Sequence, residues 1–322
     1  MSARLAFALE TGALSLPEGR ICVFAPSQEF DLTPLEADRV EIVSRFYPDV
    51  VAWQTRGYRV LQAPEGHYQT AIVTLPRAKD AARALLAQAA GCCDLLIVDG
   101  AKTDGVDSIL KAMKKIAPPQ GTLSKAHGKI FWLGAPDLSE WVGSERELDG
   151  FITMPGVFSA DGPDKGSVAL VETLPRLSGH VVDLGAGWGY LDRSILASDK
   201  VTALDVVEAD LTALDCARRN ISDPRASFHW ADATRFKPKS LVDAVVTNPP
   251  FHVGRAGDPG LGRAFLGQAA AILKPGGQLW VVANRHLPYE DHLRELFREV
   301  EEAGGTPGFK VLKATKPLRA KG

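Results

Sequence analysis

Cysteine is scarce in this chain. There are four among 322 residues, Cys22, Cys92, Cys93 and Cys216. None forms a C-x-x-C pair, and adjacent cysteines rarely bridge each other, so neither a disulfide framework nor a zinc site of the usual spacing is expected, and no metal. Small buried thiols in a reducing compartment, the cytoplasm, are the expectation. Long apolar runs are missing too. None reaches the roughly 20 residues that span a bilayer. The N-terminus has no basic segment followed by an apolar core, and the stretch Leu5–Leu9 is soon broken by Gly12 and Pro17. Neither a membrane partner nor a secretory leader is expected. Nor is there an excess of charge: 37 Lys and Arg against 39 Asp and Glu give a net −2. That balance excludes wholesale coating of nucleic acid but leaves room for a local basic patch.

What is present is ordinary for a folded chain of two domains, with 45% hydrophobic and 24% charged residues over 322 positions. The domains are expected at 1–150 and 151–322, joined near Asp149–Pro155, where Gly150 and Pro155 punctuate the chain. In the second half, apolar stretches at Val181-Val182, Val201–Val207, Ser227–Trp230, Leu241–Thr247, Gln278–Ala283 and Val311–Ala314 read as strands. Between them, Leu191–Ala197, Ala209–Asn220, Arg263–Leu273 and Asp291–Phe297 read as helices. Such alternation predicts an α/β fold with a mostly parallel twisted sheet. The first half repeats the rhythm less clearly, with strands at Ile21–Phe24, Ala71–Thr74, Leu95–Val98 and Ile130–Leu133 and helices at Thr33–Phe46 and Ala78–Ala90. Val73-Thr74-Leu75-Pro76 and the following Arg83-Ala84-Leu85-Leu86 parallel Val246-Thr247-Asn248-Pro249 and Arg263-Ala264-Phe265-Leu266. The parallel suggests a duplicated α/β unit.

Two motifs carry chemistry. Asp183-Leu184-Gly185-Ala186-Gly187-Trp188-Gly189 follows a strand and opens a helix. Its alternate glycines let the backbone turn sharply and approach a ligand. The spacing is not the dinucleotide G-x-G-x-x-G, and no Lys-Ser/Thr pair follows to make a triphosphate loop. S-adenosylmethionine fits: a ribose, an adenine and a charged amino-acid tail, with no pyrophosphate. Asp205, twenty residues after Gly185 and followed by Val206, is the expected acceptor for the ribose hydroxyls. Asp232, followed by Ala233, is the expected acceptor for the adenine amine.

The second motif is Asn248-Pro249-Pro250-Phe251, at the end of a strand. The prolines fix the backbone, so the Asn248 side-chain oxygen and the Pro249 carbonyl can face one exocyclic NH2 as paired acceptors. Holding both protons localises the nitrogen lone pair for in-line attack on a sulfonium methyl, and Phe251 offers a ring face for a planar base.

With these motifs the chain resembles class I S-adenosylmethionine-dependent methyltransferases of planar amines, most closely the bacterial ribosomal RNA guanine-N2 methyltransferases of the small-subunit type. The resemblance includes Pro155-Gly156-Val157-Phe158-Ser159 with Asp161-Gly162 and Gly166-Ser167. It continues through Asn248-Pro249-Pro250-Phe251-His252 with Gly254, Val282-Ala283-Asn284 with Leu287-Pro288-Tyr289, and Phe309-Lys310-Val311. Leu75-Pro76-Arg77 and Gly100 with Gly105-Val106-Asp107-Ser108 match more loosely. The resemblance implies two tandem Rossmann-type methyltransferase domains, the first degenerate, and ribosomal RNA or the small ribosomal subunit as partner. It implies that Phe158 and Ser159 help enclose the cofactor held by Asp183, Gly185, Ala186, Gly187 and Gly189. Leu75 then stands where Asn248 stands and cannot polarise an amine. The first half is left to brace the second or to contact RNA through Arg77, Lys79, Arg83, Lys102, Lys111, Lys114 and Lys115. A basic tail of Lys310, Lys313, Lys316, Arg319 and Lys321 is a second candidate for phosphate contact. A protein glutamine amide and adenine N6 are the alternative acceptors, and a non-catalytic RNA-binding or assembly protein is the reading from another class.

Overall fold

A computed structural model describes residues 3–250, 252–253, 256–257 and 259–318. The chain divides into two compact units, Met1–Glu145 and Arg146–Gly322. In the first, α1 (Ala3–Glu10) precedes β1 (Ile21–Phe24), β2 (Val40–Val43), α2 (Tyr47–Thr55), β3 (Arg59–Leu61) and β4 (Tyr68–Thr74). Then come α3 (Lys79–Ala90), β5 (Cys93–Ala101), α4 (Val106–Met113), β6 (Gly121–Lys125) and β7 (Gly128–Gly134). Alternate residues of the sheet feed two cores. Cys22, Phe24, Val73 and Leu96 pack with Leu86 of α3 and Ile109 of α4. Val23, Ile42, Ile72 and Ile97 pack with Leu5 of α1 and Trp53 of α2. A sheet buried on both faces reads as continuous apolar runs, which is why these strands were legible.

The second unit opens with a hairpin, β8 (Arg146–Leu148) and β9 (Phe151–Thr153), so the expected join lies within it. It continues through α5 (Lys165–Thr173), β10 (Gly179–Leu184), α6 (Tyr190–Leu196), β11 (Val201–Glu208), α7 (Leu211–Asn220), β12 (Ala226–Trp230) and β13 (Val242–Thr247). A short pair, β14 (His252–Val253) and β15 (Ala256–Gly257), precedes α8 (Pro259–Ile272), β16 (Leu273–Asn284), α9 (Tyr289–Leu296), β17 (Phe297–Gly305) and β18 (Phe309–Pro317). Val181, Leu204 and Val246 pack under α5, α6 and α7. Val182, Val207, Val245 and Leu279 pack under α8 and α9.

The two seven-stranded sheets have one topology. Their orders are β3-β2-β1-β4-β5-β7-β6 and β12-β11-β10-β13-β16-β18-β17. Five strands of each are parallel, and the last two join antiparallel at one edge. The register aligns the copies. Phe24 lies opposite Val43 and Val73, and Asp183 lies opposite Val206 and Val246. One residue beyond β4, Leu75 therefore occupies the place that Asn248 occupies beyond β13. By the same register Phe24 stands for Asp183, and Arg45 for Glu208.

Some expectations need correction. Thr33–Phe46 is no helix: a single 3-10 turn, Ala37–Arg39, leads into β2. The β-branched run Val40-Glu41-Ile42-Val43 finds partners in both β1 and β3, and those ladders outweigh its local helical rhythm. Lys310, Lys313 and Lys316 belong to β18, and each pairs with a carboxylate: Glu290, Glu301 and Glu299 respectively. They are therefore no free basic tail; Arg319 and Lys321 lie outside the described residues. All four cysteines are buried and none forms a disulfide. Among the described residues no helix is long and apolar enough to cross a membrane, and no group of three or more His, Cys, Asp or Glu can hold a metal ion.

Candidate functional site

In the second unit the strand order reverses between β10 and β13, and the chains leaving these neighbours diverge. Such a crevice at the carboxyl ends of the strands is where open α/β sheets take ligands. An open cleft of about 390 Å³, counting the solvent at its mouth, lies there, lined by Phe158, Ser159, Asp164, Ser167, Gly185, Ala186, Gly187, Trp188, Tyr190, Leu191 and Asn248. Gly185, Gly187 and Gly189 all have positive φ, but they do different work. A Cβ at Gly189 would press on Ile221 and Ala217, and one at Gly185 would meet Phe265 at 3.1 Å. One at Gly187 would meet no protein atom within 4 Å, so its bare backbone forms a wall of the cavity.

Asn248 is fixed in one orientation. Its Nδ2 donates to Asp164 Oδ2 at 3.0 Å and to Ser167 Oγ at 2.9 Å. A carboxylate only accepts, so the nitrogen faces Asp164 and the Oδ1 acceptor is left over. Asp164 is in turn the N-cap of α5, accepting from Gly166 N and Ser167 N. Pro249 is buried immediately beyond. Phe251 lies outside the described residues, as does Gly254.

The segment before α5 is tied over the glycine loop. Trp188 Nε1 donates to the Phe158 carbonyl at 2.9 Å, and the indole meets Phe151 edge-on at 5.0 Å. Asn220 donates from Nδ2 to the Ile152 and Trp188 carbonyls and accepts from Ile152 N. These ties leave the Phe158 ring 60% exposed beside the cavity.

Several expected cofactor ligands lie elsewhere. Asp205 is inside β11, opposite Val182, and not at the strand's end. Its carboxylate is held at 2.8 Å by both His180 Nε2 and His229 Nε2. Burial works against its charge, yet the two histidines outweigh that and keep its pKa below the ordinary value. Val206 is fully buried. The residue at the end of β11 is Glu208, which sequence spacing missed because the strand is longer than its apolar run. Its Oε2 accepts from Gly187 N, and its Oε1 from Ala209 N and Asp210 N, each at 2.8 Å. One lone pair on Oε2 stays open beside the loop. Burial raises its pKa against those three donors. Asp232 caps its own turn, accepting from Thr234 N and Oγ1, and neither it nor the buried Ala233 lines the cavity.

Asp183 is also withdrawn from the cavity. It and Asp192 are both fully buried, and neither carboxyl finds a donor from the rest of the protein among the described residues. Burial, then the charge of Asp192, raises the Asp183 pKa well above the ordinary value, and burial pushes Asp192 up to about 7. A proton held between the two carboxyls would supply the missing donor. Altogether the cavity offers a bare backbone wall, an exposed ring and the carboxylate of Asp164, while Glu208 lies behind the lining and reaches it only through its bond to Gly187 N. Those features fit a ligand with a ribose and a cationic tail.

The family model described as the methyltransferase small domain matches residues 149–313. Over 230 residues the chain is 30% identical to the ribosomal RNA small subunit methyltransferase C of Shewanella loihica, covering 67% of each. It is 36% identical to the ribosomal RNA large subunit methyltransferase G of Ectopseudomonas mendocina, over 51% of this chain and 46% of that protein. The T. thermophilus 16S rRNA N2 G1207 methyltransferase, solved with AdoMet and guanosine, superposes with TM-score 0.79 at 25% identity, over 94% of this chain and 90% of that one.

Two expectations follow from this geometry. Glu208→Gln is expected to weaken cofactor binding by about 1–3 kcal/mol, the scale of an unpaired polar contact, whereas Asp205→Asn leaves it unchanged and lowers the melting temperature. Calorimetry giving the reverse order would return the ribose to Asp205. The Asp183–Asp192 pair gives a pH dependence. A carboxyl whose folded pKa lies above its unfolded value of about 4 favours folding below that value and loses this advantage as pH rises through the folded one. With Asp192 at about 7, stability declines across that window. Asp192→Asn provides an N–H donor and removes the proton requirement. Its melting temperature should exceed wild type by more at pH 8 than at pH 5; equal differences at both would refute the shared proton.

Proposed function

Because the chain belongs to the methyltransferase small-domain family, in the line of the small-subunit ribosomal RNA methyltransferases C, we propose that it methylates guanine in RNA. It transfers a methyl group from S-adenosylmethionine to the exocyclic N2 amine of a guanine in small-subunit ribosomal RNA, in the cytoplasm. Arg146–Gly322 is the catalytic unit, and Met1–Glu145 is a degenerate copy that braces it or contacts RNA. The observation that carries this reading is the Asn248 amide, whose nitrogen is taken by Asp164 and Ser167 and whose oxygen is left as an acceptor beside the glycine loop.

The cofactor supplies an electrophilic methyl group when bound. Gly185, Ala186 and Gly187 line its place with backbone, and Glu208 stands at the strand end where ribose hydroxyls need an acceptor. Asn248 Oδ1 and the Pro249 carbonyl each accept one proton of the amine. Two such bonds draw the nitrogen away from conjugation with the ring and aim its lone pair. Once the methyl is on nitrogen, the positively charged amine still carries two protons, and one of them is acidic enough to leave to water without a strong base. Asp164 acts through Asn248 and is a positioning residue. The first unit keeps a proline, Pro76, where Pro249 stands, but Leu75, Phe24 and Arg45 replace Asn248, Asp183 and Glu208.

Asn248→Ala should lower turnover by about 10²–10³-fold, the usual loss when one preorganised polar group is removed, with cofactor affinity within twofold of wild type. Wild-type turnover would remove Asn248 from the chemistry. Nucleoside mass mapping of ribosomal RNA from cells lacking the gene should show loss of one N2-methylguanine. An intact complement of that nucleoside, with another methyl group missing, would reassign the acceptor.

A further inference from the structure

A second groove lies wholly within the first unit, about 780 Å³ between α3, α4 and the turn Ser139–Trp141. Its cations come as two like-charged pairs at i, i+4 spacing: Lys79 and Arg83 along α3, Lys111 and Lys115 along and just past α4. Like charges at that spacing repel. Among the described residues none of the four has an ion-pair partner, although carboxylates outnumber bases in the chain. Asp107 of α4, the nearest acid along that helix, is spent on Lys129 at 2.6 Å. One carboxylate, Glu140, shares the lining.

Arg83 differs from the lysines. Its guanidinium lies over the Trp141 ring, 5.3 Å from the centroid, and its Nε is buried without a hydrogen-bond partner. Trp141 packs in turn against the core of the unit. A guanidinium held over an anchored ring keeps its two terminal nitrogens ordered before a ligand arrives, and their N–H groups match two oxygens of one phosphate. The lysines around it are point charges on flexible stems, suited to a row of phosphates.

We propose that this groove binds the phosphodiester backbone of RNA, with Arg83 as the oriented contact and Lys79, Lys111 and Lys115 as the flanking ones. The choice of RNA rests on the function proposed above; the choice of a polyanion rests on the groove alone. Arg77, Lys102 and Lys114, basic residues of the same unit, are absent from the lining. The structure thus separates a convergent set from a scattered one that composition could not distinguish.

The test measures anisotropy of a fluorescein-labelled single-stranded RNA 12-mer on the full chain across a KCl series. It compares K79E/K111E/K115E with the control set R77E/K102E/K114E and with R83Q. The groove triple variant should bind at least about tenfold more weakly near 0.1 M salt, with the slope of log K against log salt reduced by about 2, at about 0.7 per phosphate on a single strand. The control triple variant, equal in charge change, should lose less than threefold. R83Q should weaken binding by itself, and R83K should restore it only in part. Melting temperature and cofactor affinity should match wild type throughout. Equal losses in the two triple variants would mean net charge and overturn the groove, as would an unchanged R83Q. An acidic polyglutamate peptide that binds as tightly as the RNA, and is lost with the same variants, would assign the groove to a protein partner instead. Because no methyl transfer is measured, RNA binding that survives in an Asn248→Ala background separates failure of the chemistry from failure of the groove.

Discussion

A carboxylate that can only accept decides which way one amide faces, and the chemistry proposed for the second unit depends on it. Asp164 takes a proton of the Asn248 amide and, through the same Oδ2, caps the first turn of α5. Helix start and amide orientation are therefore one structure. The glycine loop, the diverging strands and the proline after Asn248 shape a cavity, but an amide turned the other way would present donors to an amine that has only donors to give. The fold places Asn248 at the crevice; Asp164 and Ser167 make it an acceptor.

The two sheets show how little of such a site is required by the fold. Both units carry the same seven-strand order, and in both the order reverses at the same neighbours. At positions equivalent by register, the first unit has an apolar ring for Asp183, a base for Glu208 and an apolar side chain for Asn248. Its cores are as fully buried as those of the second unit. Packing was retained while the polar groups that would hold a cationic cofactor and a planar amine were not. A fold-level likeness alone would not distinguish the halves; three residues at the ends of strands do.

Much of this was legible in the sequence because strands buried on both faces announce themselves as apolar runs and because glycines and prolines mark the loops. The Asp183–Gly189 loop and Asn248-Pro249-Pro250 stood out on those grounds. The misses have physical causes. Glu208 carries no signal at a strand end because β11 continues one polar residue past its apolar run, and the strand end is set by pairing with β10 and β12. β17, with the sequence Phe-Arg-Glu-Val-Glu-Glu-Ala-Gly-Gly, has no strand-like composition; it exists because β18 offers an edge and lysines opposite its glutamates. Asp164 gave no signal, since a cap residue looks like any loop acid until its partner eighty-four positions away is known.

The ties over the glycine loop also govern how a ligand gets in. Asn220 makes three hydrogen bonds that join β9 to the backbone at Trp188, and the indole itself holds the Phe158 carbonyl. Lifting this segment as a hinged flap would break three of these bonds at once, the two at Ile152 and the one at Phe158, and strip the aromatic cluster beneath it. Turning the Phe158 ring, which is mostly in solvent, breaks none of them. The motion that opens this side of the cavity at no cost in hydrogen bonds is therefore a side-chain rotation, which belongs to the picosecond-to-nanosecond scale, and not a loop opening, which takes microseconds.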